Sequence, residues 1–111
     1  MTKTPEQYNP VAELHAALQA GTPDDDFVQK IDDQEVLHVK FQTGSTATTP
    51  RNGVFIEDLL IVAYTKLRSY NDHLPSRENS LALTKIEEAL QWLGSRKIER
   101  ETRGVYGTEQ K

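Results

Sequence analysis

The sequence contains no cysteine and no long hydrophobic run. Without cysteine, neither disulfide bonds nor thiolate metal sites can stabilise the fold, and this composition suits a reducing compartment. No stretch approaches the roughly 20 apolar residues that a membrane span needs. The first four residues, Met1–Thr4, are not followed by the apolar core of a signal peptide. We therefore expect a cytoplasmic protein without a membrane partner.

The length of 111 residues predicts a single domain spanning residues 1–111. We divide it into an acidic segment with a short helix (1–35), a small β region and loop (36–53) and a helical hairpin with a C-terminal tail (54–108). A chain of this size buries a small fraction of its surface when it folds alone. Oligomerisation is one way for it to bury more.

The net charge of −4 is unevenly distributed. Residues 1–35 contain eight acidic residues and two lysines, a net charge of −6, which leaves +2 for residues 36–111. Near the C-terminus, four basic residues stand against Glu99 and Glu101; they are Arg96, Lys97, Arg100 and Arg103. An acidic chain does not suit long nucleic acid, for which affinity comes from many phosphate contacts. A local basic cluster does suit a small anionic ligand.

The N-terminal half predicts one helix and one strand. Pro10 in a first turn and Gly21 as a stop signal predict a short helix over residues 10–21. The acidic stretch Thr22–Asp33 is interpreted as a surface connection with few apolar anchors. β-Branched and aromatic residues in Val36–Gln42 predict a strand. Gly44–Gly53 has the composition of turns and loops, although Ser45–Thr49 is also compatible with an edge strand.

From Val54 onwards the apolar period becomes helical and predicts an antiparallel hairpin. The first helix runs to about Tyr70, with an apolar stripe of Ile56, Leu59 or Leu60, Ala63, Leu67 and Tyr70. Asn71–Pro75 breaks the chain, and Ser76 is a strong N-cap for a second helix that ends near Thr102. The stripe of this helix is Leu83, Ile86, Leu90 and Leu93. The fold class is therefore α+β: an antiparallel helical hairpin, a small β region and a short helix.

Three further side chains lie beside the stripe of the second helix: Leu81, Ala89 and Trp92. Two helices and one strand cannot enclose them, so we expect a partner subunit to cover them. This makes a homo-oligomer the expected state.

No arrangement of residues supports catalysis or metal binding. The three histidines are not at ligand spacing; they are His15, His38 and His73. The aspartates that begin at Asp24 lack the glycine that a calcium loop needs at its sixth position, where Gln29 stands. Neither a nucleophile elbow nor a phosphate-binding glycine loop is present. We expect a protein that is not an enzyme and needs no cofactor.

The C-terminal stretch is the best candidate for ligand binding. Arg96 and Arg100 are four residues apart, share a helix face and can hold one phosphate together through their planar guanidinium groups. Two glycines, Gly104 and Gly107, allow a backbone to approach a ligand closely. The alternative, a frayed helix end with its charges in solvent, stays open at this point.

Four runs of residues in the hairpin carry a family resemblance: Tyr70–His73, Ser76–Asn79, Ala82–Leu93 and Arg103–Thr108. Together they resemble the helical-hairpin family of phage anti-defence sponges, which includes Thoeris anti-defence and anti-CBASS branches. The strand at Val36–Gln42 resembles the Thoeris branch more closely. The resemblance covers roughly residues 54–108.

The resemblance implies a function that the residues permit but do not select. Members bind cyclic ADP-ribose isomers such as glyco-cyclic ADP-ribose, or cyclic di- and trinucleotides, without cleaving them, in the cytoplasm of the infected bacterial host. Defence effectors then remain inactive. Members assemble as dimers or hexamers, which implies a homo-oligomeric partner.

The same resemblance implies two sites. In the main site Arg96 and Arg100 hold phosphates, Tyr70 stacks on a base and Asn79 hydrogen-bonds the ligand, with the aromatic ring and the amide supplied by a neighbouring chain. A second site, for cyclic trinucleotides where several subunits meet, would use the closing motif. Its residues are Arg103, Gly104, Gly107 and Thr108.

Two other functions compete with this one. A helical adaptor would bind another protein through the exposed face of the hairpin, with Trp92 and Leu81 uncovered. A hydrolase for the same nucleotide would need a metal set or a base, and the sequence shows neither.

Overall fold

A computed structural model describes residues 7–21 and 26–108. The chain forms two compact units, residues 1–41 and residues 42–111. The described elements are α1 (Pro10–Ala20), β1 (Asp26–Ile31), β2 (Gln34–Lys40), α2 (Ile56–His73) and α3 (Arg77–Thr102). The α+β class with a helical hairpin is thus confirmed, whereas the single domain and its three segments stay a prediction.

Helix α1 in the N-terminal unit is the predicted short helix. The Asn9 side-chain oxygen accepts hydrogen bonds from the backbone N–H groups of Val11 and Ala12, at 3.0 and 3.2 Å. This capping satisfies two of the donors that a helix start leaves open. Pro10 occupies the first turn and Gly21 follows the last residue, as the sequence predicted.

Strands β1 and β2 form a two-stranded antiparallel sheet. The predicted strand is confirmed as β2, but the interpretation of Thr22–Asp33 as a connection is wrong for Asp26–Ile31, which is β1. Residues 22–25 lie outside the described part. A tight turn joins the strands, in which Asp32 and Asp33 have φ of 49° and 66°. Aspartate tolerates this left-handed backbone, and hairpin turns of two residues require it.

Residues 42–55 of the C-terminal unit form a loop held by its own side chains. The Thr43 N–H donates to the Asn52 side-chain oxygen at 3.0 Å, and the Asn52 amide donates back to the Thr43 carbonyl at 3.1 Å. Ser45–Thr49 is a turn, because the N–H groups of Thr48 and Thr49 both donate to the Ser45 carbonyl. The alternative of an edge strand is therefore wrong.

Helices α2 and α3 form the predicted hairpin. Two contacts show that they are antiparallel: the Tyr64 hydroxyl donates to Glu87 at 2.6 Å, and the Asn71 amide donates to Ser80 at 3.3 Å. The contact later in α2 is made with the residue earlier in α3, as antiparallel helices require. Helix α2 extends three residues beyond the predicted end at Tyr70, because Pro75 restricts only the residue before it and leaves Asn71–His73 free to be helical.

The apolar stripe of α3 is confirmed, whereas that of α2 is partly wrong. Leu83 is 8% exposed, and the three other residues of its stripe are half-buried; they are Ile86, Leu90 and Leu93. In α2 the half-buried residues at three- and four-residue steps are Leu60, Tyr64, Leu67 and Asn71. The predicted stripe residues Ile56, Ala63 and Tyr70 are exposed. The seam of α2 thus contains a tyrosine and an asparagine that hydrogen-bond across it.

Trp92 remains 76% exposed in the chain and Leu81 is also exposed, whereas Ala89 is half-buried. Their coverage by a partner subunit stays a prediction. Within the described ranges, none of the helices combines the length and apolarity that a membrane crossing needs.

Candidate functional site

An open cavity of about 430 Å³ lies at the turn between the two helices of the hairpin, which we call the hairpin tip (residues 69–79). It is lined by Ser69, Tyr70, His73, Leu74 and Asn79. Ligand cavities of this size class hold small organic molecules. The structure thus brings together two of the four residues predicted for the main site, Tyr70 and Asn79.

The start of α3 fixes the position of Asn79. Ser76 is the N-cap, and its hydroxyl accepts a hydrogen bond from the Asn79 N–H at 3.0 Å. The Ser76 N–H in turn donates to the Asn71 side-chain oxygen at 3.0 Å. These bonds link the end of α2 to the first turn of α3, so the backbone at Asn79 is held in place.

The polar and aromatic groups of the cavity are available to a ligand. Tyr70 is 58% exposed, and the Lys66 ammonium nitrogen lies 5.0 Å from the centre of its ring. The lysine thus places a positive charge beside the ring. The Asn79 side-chain amide hydrogen-bonds none of the residues that the structure describes. It is therefore available to donate or accept a hydrogen bond in the cavity.

His73 is a cavity residue that the sequence analysis did not assign to the site. Its ring nitrogen Nδ1 donates to the Ser69 carbonyl at 3.1 Å. The ring lies one helical turn beyond Tyr70, and this three-residue spacing was the signal in the sequence. The assumption that the helix stopped at Tyr70 concealed it.

Arg96 and Arg100, the two predicted phosphate ligands, have different environments. Arg96 is exposed and has no hydrogen bond or ion pair with the described residues. Arg100 is only 7% exposed, and its Nη2 donates to the carbonyls of Val105 and Thr108 at 3.2 and 3.1 Å. In the isolated chain, Arg96 is accessible to a phosphate, whereas the Arg100 guanidinium holds the backbone that follows α3.

The closing motif, residues Arg103–Thr108, forms a bent segment that we call the tail. Gly104 and Gly107 have φ of 76° and 79°, the left-handed conformation that favours glycine. Arg103 is paired with Glu99 one helical turn earlier. The Thr108 hydroxyl donates to the Val105 carbonyl at 2.5 Å. The tail is thus ordered by its own contacts rather than frayed, and its use as a second ligand site stays a prediction.

The four predicted residues of the main site do not meet within one chain. Asn79 and Arg96 are both in α3, separated by seventeen positions. At a rise of about 1.5 Å per residue, this places them about 26 Å apart along the helix. The hairpin tip and the arginine therefore lie at opposite ends of a helix longer than any mononucleotide.

The described residues contain no candidate metal site. Residues 7–21 and 26–108 contain no group of three or more His, Asp or Glu side chains placed to hold a metal ion. In the N-terminal unit, His38 Nε2 lies 2.6 Å from an Asp26 oxygen. The hydrogen bond to Asp26 raises the pKa of His38 above 6.5, with a smaller contribution from Glu35. This exposed pair has the geometry of a cross-strand contact.

Fold and cavity together define the class of the protein: a small helical-hairpin protein with a ligand-sized cavity at the hairpin tip. The family model described as Acb2/Tad1, hairpin domain, matches residues 32–97. This range includes β2, both sides of the tip cavity and Arg96. The chain belongs to the Acb2/Tad1 hairpin-domain family, and the resemblance that the hairpin motifs indicated is confirmed.

A curated relative is similar over about two thirds of the chain. It is named Thoeris anti-defense 1, from Bacillus phage SBSphiJ7, and is 47% identical over 74 residues. The match covers 66% of this chain and 52% of the relative. The chain therefore spans about half the length of the curated relative that it matches.

Proposed function

We propose that the protein is a phage anti-defence sponge, which binds cyclic nucleotide immune signals and withholds them from their receptors without degrading them. Glyco-cyclic ADP-ribose and related isomers are the ligands of the main site, and cyclic di- and trinucleotides are further candidates. The observation that carries the proposal is the tip cavity, where an available aromatic ring and an available amide lie together. Membership of the family and a relative named for Thoeris anti-defence support it.

The main site is assembled from two chains. Because about 26 Å of helix separates Asn79 from Arg96, one chain supplies the base-binding tip and its partner supplies the phosphate-binding arginine. An antiparallel pairing of hairpins places the tip of each beside the α3 end of the other and creates two equal sites. Exposed Trp92 and Leu81 on α3 are apolar surface for such a pairing.

This arrangement suits sequestration in the cytoplasm of the infected host. A base stacked on Tyr70 and a diphosphate held by arginine account for the two main recognition groups of a cyclic ADP-ribose. Nothing in this arrangement attacks a bond of the ligand. Defence effectors that depend on the free signal are then deprived of it by mass action.

A release assay tests the proposal. The purified protein is incubated with glyco-cyclic ADP-ribose, separated from free ligand and heat-denatured, and the supernatant is analysed by chromatography and mass spectrometry. We expect the intact ligand in an amount stoichiometric with protein. A variant of the proposed site, Tyr70→Ala with Asn79→Ala, is the control and should retain no ligand. Recovery of a product, or of no ligand, contradicts the proposal.

Mixing two inactive variants tests whether the site spans two chains. A tip variant, Tyr70→Ala with Asn79→Ala, and an Arg96→Ala variant are each expected to bind no ligand tightly. Unfolding and refolding the two together forms mixed dimers, in which one of the two sites has an intact tip and an intact arginine. We expect binding to return in the mixture. A mixture as inactive as its components contradicts a shared site.

The exposed face of α3 favours one alternative, a helical adaptor for another protein. Trp92 is 76% exposed and is the only tryptophan, so its fluorescence reports on this face. A sponge dimer that pairs through α3 shields Trp92 from acrylamide quenching at concentrations where it is dimeric. Full accessibility in the purified oligomer, together with no retained ligand, favours the adaptor.

A further inference from the structure

The tail is held at three backbone carbonyls from two sides. On one side, Arg100 donates to the carbonyls of Val105 and Thr108. On the other side, the carbonyl of Gly107 accepts from the turn at residues 45–47. The tail therefore has a fixed conformation although it lies outside any helix or strand.

The contact at Gly107 is made by three donors of one turn. The Ser45 hydroxyl and the Ala47 N–H donate to the Gly107 carbonyl, the latter at 2.9 Å, and the Thr46 hydroxyl lies 3.4 Å from it. A methyl group on Gly107 would approach the Thr46 hydroxyl oxygen to 2.5 Å. Only glycine fits this position, because any side chain meets both the turn and an unfavourable φ of 79°.

The turn is itself anchored to the start of α2. The Gln42 side-chain oxygen accepts from the N–H groups of Asn52 and Gly53, at 2.9 and 3.3 Å. Asp58 accepts from the Phe55 N–H at 2.9 Å and pairs with Arg51 at 2.6 Å. The chain of contacts therefore runs from the first turn of α2, through the loop, to the tail.

We infer that Ser45, Thr46 and Ala47 form a latch that positions the tail for ligand binding, with Ser45 and Thr46 as positioning residues that do not contact the ligand. The inference rests on the proposed function, since the tail is its second site. The carbonyls of Val105, Gly107 and Thr108 already accept hydrogen bonds from Arg100 and the latch. The groups of the tail that remain for a ligand are therefore hydrogen-bond donors.

Those donors select an anion. The backbone N–H groups of Tyr106 and Gly107 donate to no group in the described part of the chain. The Lys97 ammonium nitrogen lies 5.5 Å from the centre of the Tyr106 ring and adds a positive charge beside them. Consecutive free N–H groups around a left-handed glycine form a concave anion-binding surface. The latch thus turns a flexible segment into a fixed phosphate contact.

A pair of glycine variants tests the latch without any ligand. Gly107→Ala and Gly104→Ala impose the same backbone strain, because both positions have positive φ, but a methyl group on Gly104 meets nothing within 4 Å. Amide hydrogen exchange is measured at Ala47, whose N–H donates to Gly107. We expect exchange at Ala47 to accelerate about tenfold or more in Gly107→Ala and to change little in Gly104→Ala. Equal exchange in the two variants overturns the latch.

Removing the obstructing hydroxyl should rescue the first variant. In Thr46→Ala with Gly107→Ala, the 2.5 Å approach no longer exists, and the next nearest group is the Ala47 nitrogen at 3.4 Å. We expect protection at Ala47 to return most of the way to that of the natural chain. A double variant as unprotected as Gly107→Ala alone contradicts the contact with Thr46.

Binding of cyclic triadenylate tests the positioning role. Ser45→Ala removes one donor to Gly107 and is expected to weaken this ligand at least fivefold, whereas Ser45→Thr keeps the hydroxyl and retains affinity. Binding of glyco-cyclic ADP-ribose stays unchanged in both, which a general loss of structure would not allow. Equal weakening of both ligands overturns the positioning role. If the natural chain binds glyco-cyclic ADP-ribose but no trinucleotide, the second site and the positioning role are both overturned, whereas the main site is not affected.

Discussion

The polar side chains at the two ends of the hairpin differ in whether the chain itself supplies their hydrogen-bond partners. At the tip, backbone groups are satisfied by Ser76 and Asn71, and this leaves Tyr70 and Asn79 available in the cavity. At the other end, Arg100 and Arg103 are engaged by carbonyls and by Glu99, and Arg96 alone has no partner among the described residues.

The difference separates side chains that are available to a ligand from side chains that stabilise the fold. The sequence shows how many basic residues lie in a cluster, but not which of them already have partners. A guanidinium that donates to part-buried carbonyls cannot leave them without a cost of about 1.5–3 kcal/mol. Of the four basic residues near the end of α3, Arg96 is the one that can meet a phosphate with no contact to lose. Single substitutions in each group of residues test this division.

Replacing Arg100 by alanine should destabilise the fold. The change leaves two carbonyls, those of Val105 and Thr108, without their charged donor and should lower the free energy of unfolding by about 1.5–3 kcal/mol. Urea denaturation followed by circular dichroism measures this, with the exposed Arg96→Ala as the matched control. Unchanged stability combined with lost ligand binding would place Arg100 in the binding group instead.

Replacing Arg96 by alanine should affect binding alone. Loss of a charge-assisted phosphate contact costs about 1.5 kcal/mol or more, so affinity for glyco-cyclic ADP-ribose should fall at least tenfold. Stability should change by less than about 0.5 kcal/mol, as at other exposed positions. Isothermal titration calorimetry and a thermal melt measure the two quantities. Unchanged affinity would remove the phosphate role from this helix end.

Replacing Ser76 by alanine should show that the tip is built by its capping residues. The Asn79 N–H loses its acceptor, and the free energy of unfolding should fall by about 1 kcal/mol. Ser76→Asp restores an acceptor and should recover most of the loss. Chemical denaturation of the three proteins measures the series. A Ser76→Asp variant no better than Ser76→Ala would contradict capping as the cause.

In the N-terminal unit, replacing Asp26 by asparagine removes the charged partner of His38, and because both side chains are exposed we expect the effect on stability to be small. The hydrogen bond to Asp26 raises the pKa of His38, and Asp26→Asn should return it towards 6.5, as an NMR titration of the imidazole protons measures. Because the folded pKa is the higher one, the pair stabilises the fold below pH 6.5 and loses this contribution as the pH rises through the folded pKa. An unchanged pKa in Asp26→Asn excludes the pair.

The sequence predicted the elements that depend on local signals. Ser76 as N-cap, Pro10 in a first turn and the apolar stripe of α3 were sufficient to locate their helices. β1 was missed because Phe27, Val28 and Ile31 do not alternate and acidic residues surround them. Two aspartates between strand-like segments were the available signal, since aspartate is tolerated at both positions of a tight hairpin turn.

The site was only partly predictable, because its geometry depends on contacts distant in sequence. Tyr70 and Asn79 line the same cavity, whereas their contacts with a ligand stay a prediction. Spacing alone placed Arg96 and Arg100 on one face of α3, yet a long side chain can turn back to the chain that follows it. The partners of Gly107 lie about sixty residues earlier, beyond the reach of any local pattern.

The bond between Ser45 and Gly107 spans 62 positions, whereas that between Asn71 and Ser80 spans nine. Closing a longer loop costs more chain entropy, and on the ribosome residue 107 emerges after both helices have been made. We therefore expect helices α2 and α3 to pair first and the latch to form afterwards. A nascent chain would therefore acquire its hairpin tip before its tail is ordered.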